Sequence, residues 1–133
     1  MADTDVIDFE KAEECPTGEL ALECVKAVVG VSGAGNVKID LHWKIVAADE
    51  PAFVGRMVFD TLTLTSKSAF RTVQAARAAQ VKLPKQVTAT KESAELIAEL
   101  FVGASVTAAV IAEVGQGEYA DRPPRPKINK YIA

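Results

Sequence analysis

Val37, Ile39, Leu41, Trp43 and Ile45 share one parity, and Lys38, Asp40, His42 and Lys44 share the other. Alternation of period two over nine residues is the pattern of a strand with one face on a core and the other in water. An antiparallel sheet is therefore required, and the rest of the chain is read around that strand.

Upstream, Pro16-Thr17-Gly18 signals a turn. Leu20, Leu22 and Cys24 alternate with Glu19 and Glu23, and Val28 and Val29 follow, which reads as a strand over residues 19–31. Ser32-Gly33-Ala34-Gly35-Asn36 reads as a hairpin loop. Residues 53–65, rich in β-branched and aromatic side chains, read as a third strand. Its facing has two solutions, because Val58, Leu62 and Leu64 share a parity with Arg56 and Asp60. Either a bulge shifts the register, or the other parity exposes an apolar pair.

Residues 66–80 change to helical spacing through Phe70, Val73, Ala76 and Arg77, and Leu83-Pro84 ends that run. Thr90 is placed to cap a second helix, with Glu92 and Glu95 in its first turns and Gly103 as its stop. Leu96, Ile97, Leu100 and Phe101 form its expected buried stripe. Residues 104–114 read as a fourth strand, with Val106, Val110 and Val114 in step, and Gly115-Gln116-Gly117 opens a turn. Three prolines within residues 121–126 bar a central strand there. Residues 127–132 read as a fifth strand, with Ile128 and Ile132 inward and Lys127, Asn129 and Tyr131 outward.

The expected fold is mainly β with one or two helices. It is a five-stranded, OB-fold-like antiparallel barrel with helix between strands 3 and 4. An open α+β sheet satisfies the same periodicities. A length of 133 residues fits one domain, so residues 16–133 are read as the OB-fold-like binding domain and residues 1–15 as an acidic, partly mobile N-terminal arm.

Charge supports that division. Residues 1–23 hold eight acids and one base, a net of −7, while the remaining 110 residues hold ten acids and fourteen bases, a net of +4. An acidic arm on a mildly basic body is the signature of an interaction tail. The N-terminus has neither the basic region nor the apolar core of a secretory signal, and no apolar run approaches the ~20 residues of a membrane span. A cytoplasmic, membrane-free location is expected, with Cys15 and Cys24 as reduced thiols.

Catalytic constellations are hard to assemble from these residues. His42 is the only histidine and sits mid-strand between Asp40 and Lys44. No nucleophile elbow accompanies it. Cys15 and Cys24, nine apart, do not make a zinc site without further ligands. Residues 30–35 are Gly-rich but lack the Lys-Ser/Thr and the following helix of a phosphate loop. The chain is expected to be no enzyme and to carry no cofactor or metal.

A binding surface is the remaining option. The outward parity of the second strand offers Lys38, His42 and Lys44, and Arg56 and Phe59 extend it on the third. The fifth strand offers Lys127, Asn129, Lys130 and Tyr131, preceded by Arg122 and Arg125. Residues 67–91 hold six bases and no acid. Sequence-tolerant binding of single strands uses such cations along the backbone path and aromatic faces for stacking. Trp43, on the aliphatic parity, is assigned to the core; Tyr131 is the outward aromatic candidate.

Four stretches carry a resemblance. They are Cys15-Pro16-Thr17-Gly18-Glu19, Phe53-Val54-Gly55-Arg56-Met57-Val58-Phe59-Asp60, Leu100-Phe101-Val102-Gly103-Ala104-Ser105-Val106 and Lys127-Ile128-Asn129-Lys130-Tyr131-Ile132-Ala133. Over residues 15–133 the chain resembles a family of phage and prophage proteins long known as a domain of unknown function. Its members are commonly described as OB-fold single-stranded-DNA-binding proteins. The resemblance implies a non-enzymatic protein of phage DNA replication, repair or recombination, with single-stranded DNA as partner and RNA an open alternative. Phage or host replication and recombination proteins are further partners on this view, and homo-oligomer formation is left open. A basic last strand departs from the acidic C-terminal tail of many single-strand binders. The competing reading, favoured by the net charge of −3, is a phage module that binds a host replication or defence protein.

Overall fold

In the computed structural model, the described residues are 9–10, 14–115, 117 and 123–132. Most of the acidic arm, Arg122 and part of the 115–117 turn lie outside them. Five strands form one antiparallel sheet: β1 (Gly18–Val31), β2 (Val37–Ala47), β3 (Met57–Thr63), β4 (Ser105–Glu113) and β5 (Arg125–Ile132). Their spatial order is β3-β2-β1-β4-β5. Helices α1 (Ala69–Ala79) and α2 (Lys91–Phe101) lie between β3 and β4 in the chain. No described helix is long and apolar enough to cross a membrane.

The alternation of β2 works as expected: Ile39, Leu41, Trp43 and Ile45 are fully buried. Leu20, Leu22 and Cys24 of β1, Val58 and Leu62 of β3, and Val106, Ala108 and Val110 of β4 complete the sheet's inner face. The helices cover it with Ala75, Ala76, Ala94, Ile97, Ala98 and Phe101. Thr90 caps α2 by accepting a hydrogen bond from the Ser93 N–H at 3.2 Å, and Gly103 leaves the helix at φ +86°. Each helix buries only part of the stripe expected of it: Ile97 and Phe101 of α2 and Ala76 of α1 are buried. Leu96, Leu100 and Phe70 are exposed, and Ala94 and Ala98 of α2 and Ala75 of α1 join the buried face instead.

Bulges explain two further departures. β1 pairs Cys24 with Trp43 but Lys26 with His42, so Val25 is an extra residue and the parity reverses beyond it. On β5, Val110 of β4 pairs with Ile128 while Ala109 pairs with Lys130, leaving Asn129 as the extra residue. That bulge turns Tyr131 inward, to 3% exposure, and corrects its expected outward placement. β3 has no shift against β2, so its ambiguity resolves the other way: Val58 and Leu62 point in and Phe59 points out.

The sheet is not closed by hydrogen bonds between its edge strands, so the backbone ladder shows a five-stranded antiparallel sheet and not the expected OB-fold-like barrel. Side chains join the edges instead. Tyr131 donates its hydroxyl to Asp60 Oδ2 at 2.5 Å and accepts from Trp43 Nε1 at 3.2 Å. Arg71 of α1 pairs with Asp60 at 3.1 Å, donates to the Ile128 carbonyl at 2.9 Å, and lies 5.2 Å from the Tyr131 ring centre. Burial, and after it the Asp60 carboxylate, push the Tyr131 phenol well above its ordinary range.

Tyr131→Phe leaves Asp60 and Trp43 each short of a buried partner and is expected to reduce unfolding free energy by about 1–3 kcal/mol in urea titrations. The raised phenol adds a pH signature. Its contribution is whole below about pH 10, where unfolded tyrosine is also protonated, and falls as pH rises beyond it. The stability difference between wild type and Tyr131→Phe therefore shrinks above about pH 10; a difference constant with pH would refute the buried-phenol assignment.

Candidate functional site

The antiparallel register aligns outward side chains of three strands in rows. Lys26 (β1), His42 (β2) and Phe59 (β3) make one row; Glu23, Lys44 and Met57 make the next. On the other side lie Val28, Asp40 and Thr61, then Gly30, Lys38 and Thr63. Phe59 is 59% exposed. Its ring meets His42 edge to face, centroids 4.9 Å apart at 87°. A large aromatic held this way keeps one apolar face available to a flat partner.

Charge around the pair is graded. Lys38 is tied to Asp40 at 3.2 Å, and its stem lies across Gly30, where a Cβ would stand 3.6 Å from Lys38 Cε. Asp40 also accepts the Thr61 hydroxyl at 2.6 Å. Burial alone would raise the Asp40 carboxyl; the Thr61 and Lys38 hydrogen bonds outweigh it and hold the group below its usual range. Lys26 and Lys44 are exposed and form no ion pair among the described residues.

The expected site residues thus divide. Lys38, His42, Lys44 and Phe59 stand together on the outer face of β2 and β3. Arg56 lies just before β3, half-buried, and donates to the Glu14 carbonyl at 2.6 Å. Arg125, Lys127 and Lys130 are exposed on β5 at the opposite edge, where Lys127 pairs with Glu113 at 3.0 Å. Between the two groups, β1 presents Glu19 and Glu23. The cations therefore do not form one continuous face across the sheet. Tyr131 leaves the site for the core. Lys26 joins it unforeseen; its even number, shared with buried Leu22 and Cys24, was the signal that a bulge intervenes.

Among the described residues no group of three or more His, Cys, Asp or Glu could hold a metal ion. Both thiols are raised above their usual range, each by burial first. The chain matches no family model, and no curated protein matches it.

Thiolate is the reactive form of cysteine. Cys24, almost fully buried, is expected to resist a disulfide reagent in native protein at pH 8 and to react at once in denaturant. Equal rates in both conditions would contradict its placement.

Proposed function

We propose that the chain is a non-catalytic binding domain of the OB type. The strand order supports this class. A long, bulged β1 is shared between β2 and β4, helix separates β3 from β4, and side chains draw β3 and β5 together across the unpaired seam. Partly open five-stranded barrels of this type bind oligonucleotides on the face of strands 2 and 3, flanked by the loops after strands 1 and 4.

Within that class the protein is proposed to bind single-stranded DNA, in the phage replication, repair or recombination setting that the family resemblance implies. One observation carries the reading: uncovered Phe59, braced by His42, on the β2–β3 face with Lys26, Lys38 and Lys44 around it. Phe59 supplies a stacking surface for an unpaired base and the lysines supply phosphate contacts. The short loop closed by Ser32 and Gly35 lies beside Lys38, where a strand leaving the face would pass.

Fluorescence anisotropy with labelled single- and double-stranded oligonucleotides over a salt series tests this. Single strands are expected to bind more tightly, with affinity falling as salt rises. Phe59→Ala should weaken binding by about 1–3 kcal/mol at every salt concentration. Lys44→Ala should reduce the salt slope by about 0.7. Absence of binding at low salt, or equal affinity for duplex, would sink the proposal.

The carboxylates of Glu19 and Glu23, interposed between the two cationic groups, favour the second reading, a module that binds a host replication or defence protein. Capture of one host protein that survives nuclease treatment, with no oligonucleotide binding, would establish it instead.

A further inference from the structure

The second half of β1 has an open edge. Its pairing with β4 ends at Glu23–Ser105. Cys24 then donates its N–H to the Ala104 carbonyl and accepts from the Gly103 N–H, both at 2.8 Å. Beyond Cys24, β1 has a strand partner on its β2 side only, among the described residues. Both backbone groups of an antiparallel residue point to one side, and the side alternates along the strand. The Val37 carbonyl accepts from Leu64 on the β3 side, so Val31, opposite Val37, turns its N–H and C=O away from β2. Val29 and Ala27 follow in step. Exposed sheet edges are ordinarily blunted by charge, proline or a bulge. Here the bulge at Val25 precedes the open stretch, and residues 27–31 carry neither charge nor proline.

A groove of about 400 Å³ lies between this edge and α2, on the inner side of the sheet. Ala27 and Val29 line one side of it, and Ala98 and Val102 line the other. The charged residues lining it are Glu95 and Glu99, and both are exposed. Neither forms an ion pair among the described residues, Lys91 one turn before Glu95 included. Lys26 and Lys38 lie on the outer face, across the sheet from α2. Open backbone groups call for a partner that brings its own N–H and C=O in an extended chain, and the carboxylates call for cations. A lysine or arginine on the inward side of such a strand lays its apolar stem on Ala98 and Val102 and its charged head at Glu95 or Glu99. The same acids oppose a nucleic acid here. They also oppose a second copy joined edge to edge about a two-fold axis, which would bring two α2 helices to one seam with acid beside acid.

We propose that the open edge of β1 receives an extended segment of a partner protein, with lysine or arginine at alternate positions, as an added strand of the sheet. The backbone of that segment pairs with Ala27, Val29 and Val31, and its basic side chains reach Glu95 and Glu99. The contact involves neither Phe59 nor Lys44 and is independent of the nucleic-acid reading.

Titration of the full chain with a short labelled peptide that alternates lysine with valine, capped at both ends, tests the proposal. Saturable binding that weakens with salt is expected, and none for the same peptide with glutamate in place of lysine. Glu95→Lys with Glu99→Lys should weaken binding by about tenfold with unchanged circular dichroism. Methylating the alternate peptide nitrogens that face β1 removes donors and keeps the charge, and should weaken binding by about tenfold or more. Phe59→Ala should leave peptide affinity unchanged. Absence of saturable binding at low salt overturns the proposal. So does equal affinity for the methylated peptide, which would reduce the contact to charge alone. A dimer in sedimentation velocity that Val31→Pro disperses also overturns it and gives the edge to a second copy.

Discussion

The architecture depends on one carboxylate. Asp60 sits on the inward parity of β3, between buried Val58 and Leu62, where an unpartnered charge would be strongly destabilising. Arg71 supplies the opposite charge from α1, and Tyr131 supplies a hydroxyl from β5. The same three residues therefore tie the third strand, the first helix and the last strand together. β5 has a backbone partner on one side only, β4, so this cluster and the Trp43–Tyr131 hydrogen bond supply its other attachment. The seam between β3 and β5 is joined by side chains where a ladder would otherwise run.

That anchor reaches the outer face through strand geometry. Successive side chains of a strand point to opposite sides, so fixing Asp60 inward fixes Phe59 outward. His42 then meets Phe59 because the β2–β3 register is uninterrupted from Lys38–Thr63 to Lys44–Met57. Lys26 arrives in the same row only because Val25 bulges out of β1. Core and surface are thus not separate designs. The buried acid that looks out of place and the exposed aromatic that looks unprotected are neighbours set by one alternation.

How much of this was legible follows from how many residues carried each signal. β2 announces itself because nine residues alternate, and the outer placement of Lys38, His42 and Lys44 follows. Thr90 and Gly103 were readable because a cap and a left-handed stop each demand a particular residue type. Tyr131 was misread, and Lys26 went unforeseen, for one reason: a bulge adds a single residue, leaves no mark in composition, and reverses every side chain beyond it. The helix stripes were legible only in part. Leu96 and Leu100 are more apolar than Ala94 and Ala98, so hydropathy selects them, yet the face that α2 buries holds Ala94 and Ala98 beside Ile97 and Phe101. Phe59 and Asp60 posed a choice that local pattern does not decide, since the partner of Asp60 lies eleven residues on in one case and seventy-one in the other.

A net charge of −3 is compatible with a polyanionic partner when opposite charges are separated by more than the screening length, about 8 Å at physiological ionic strength. The acids of this chain are densest in its first 23 residues, and Lys26 and Lys44 beside Phe59 form no ion pair among the described residues. Glu19 and Glu23 lie on β1, so a strand crossing the sheet from β3 to β5 by way of β1 would pass over both, whereas one running along β2 and β3 passes only Glu23, opposite Lys44. On the nucleic-acid reading the path therefore follows those two strands toward Lys38 and the loop beyond it. Cations at Lys127 and Lys130 then serve as a second, separate contact.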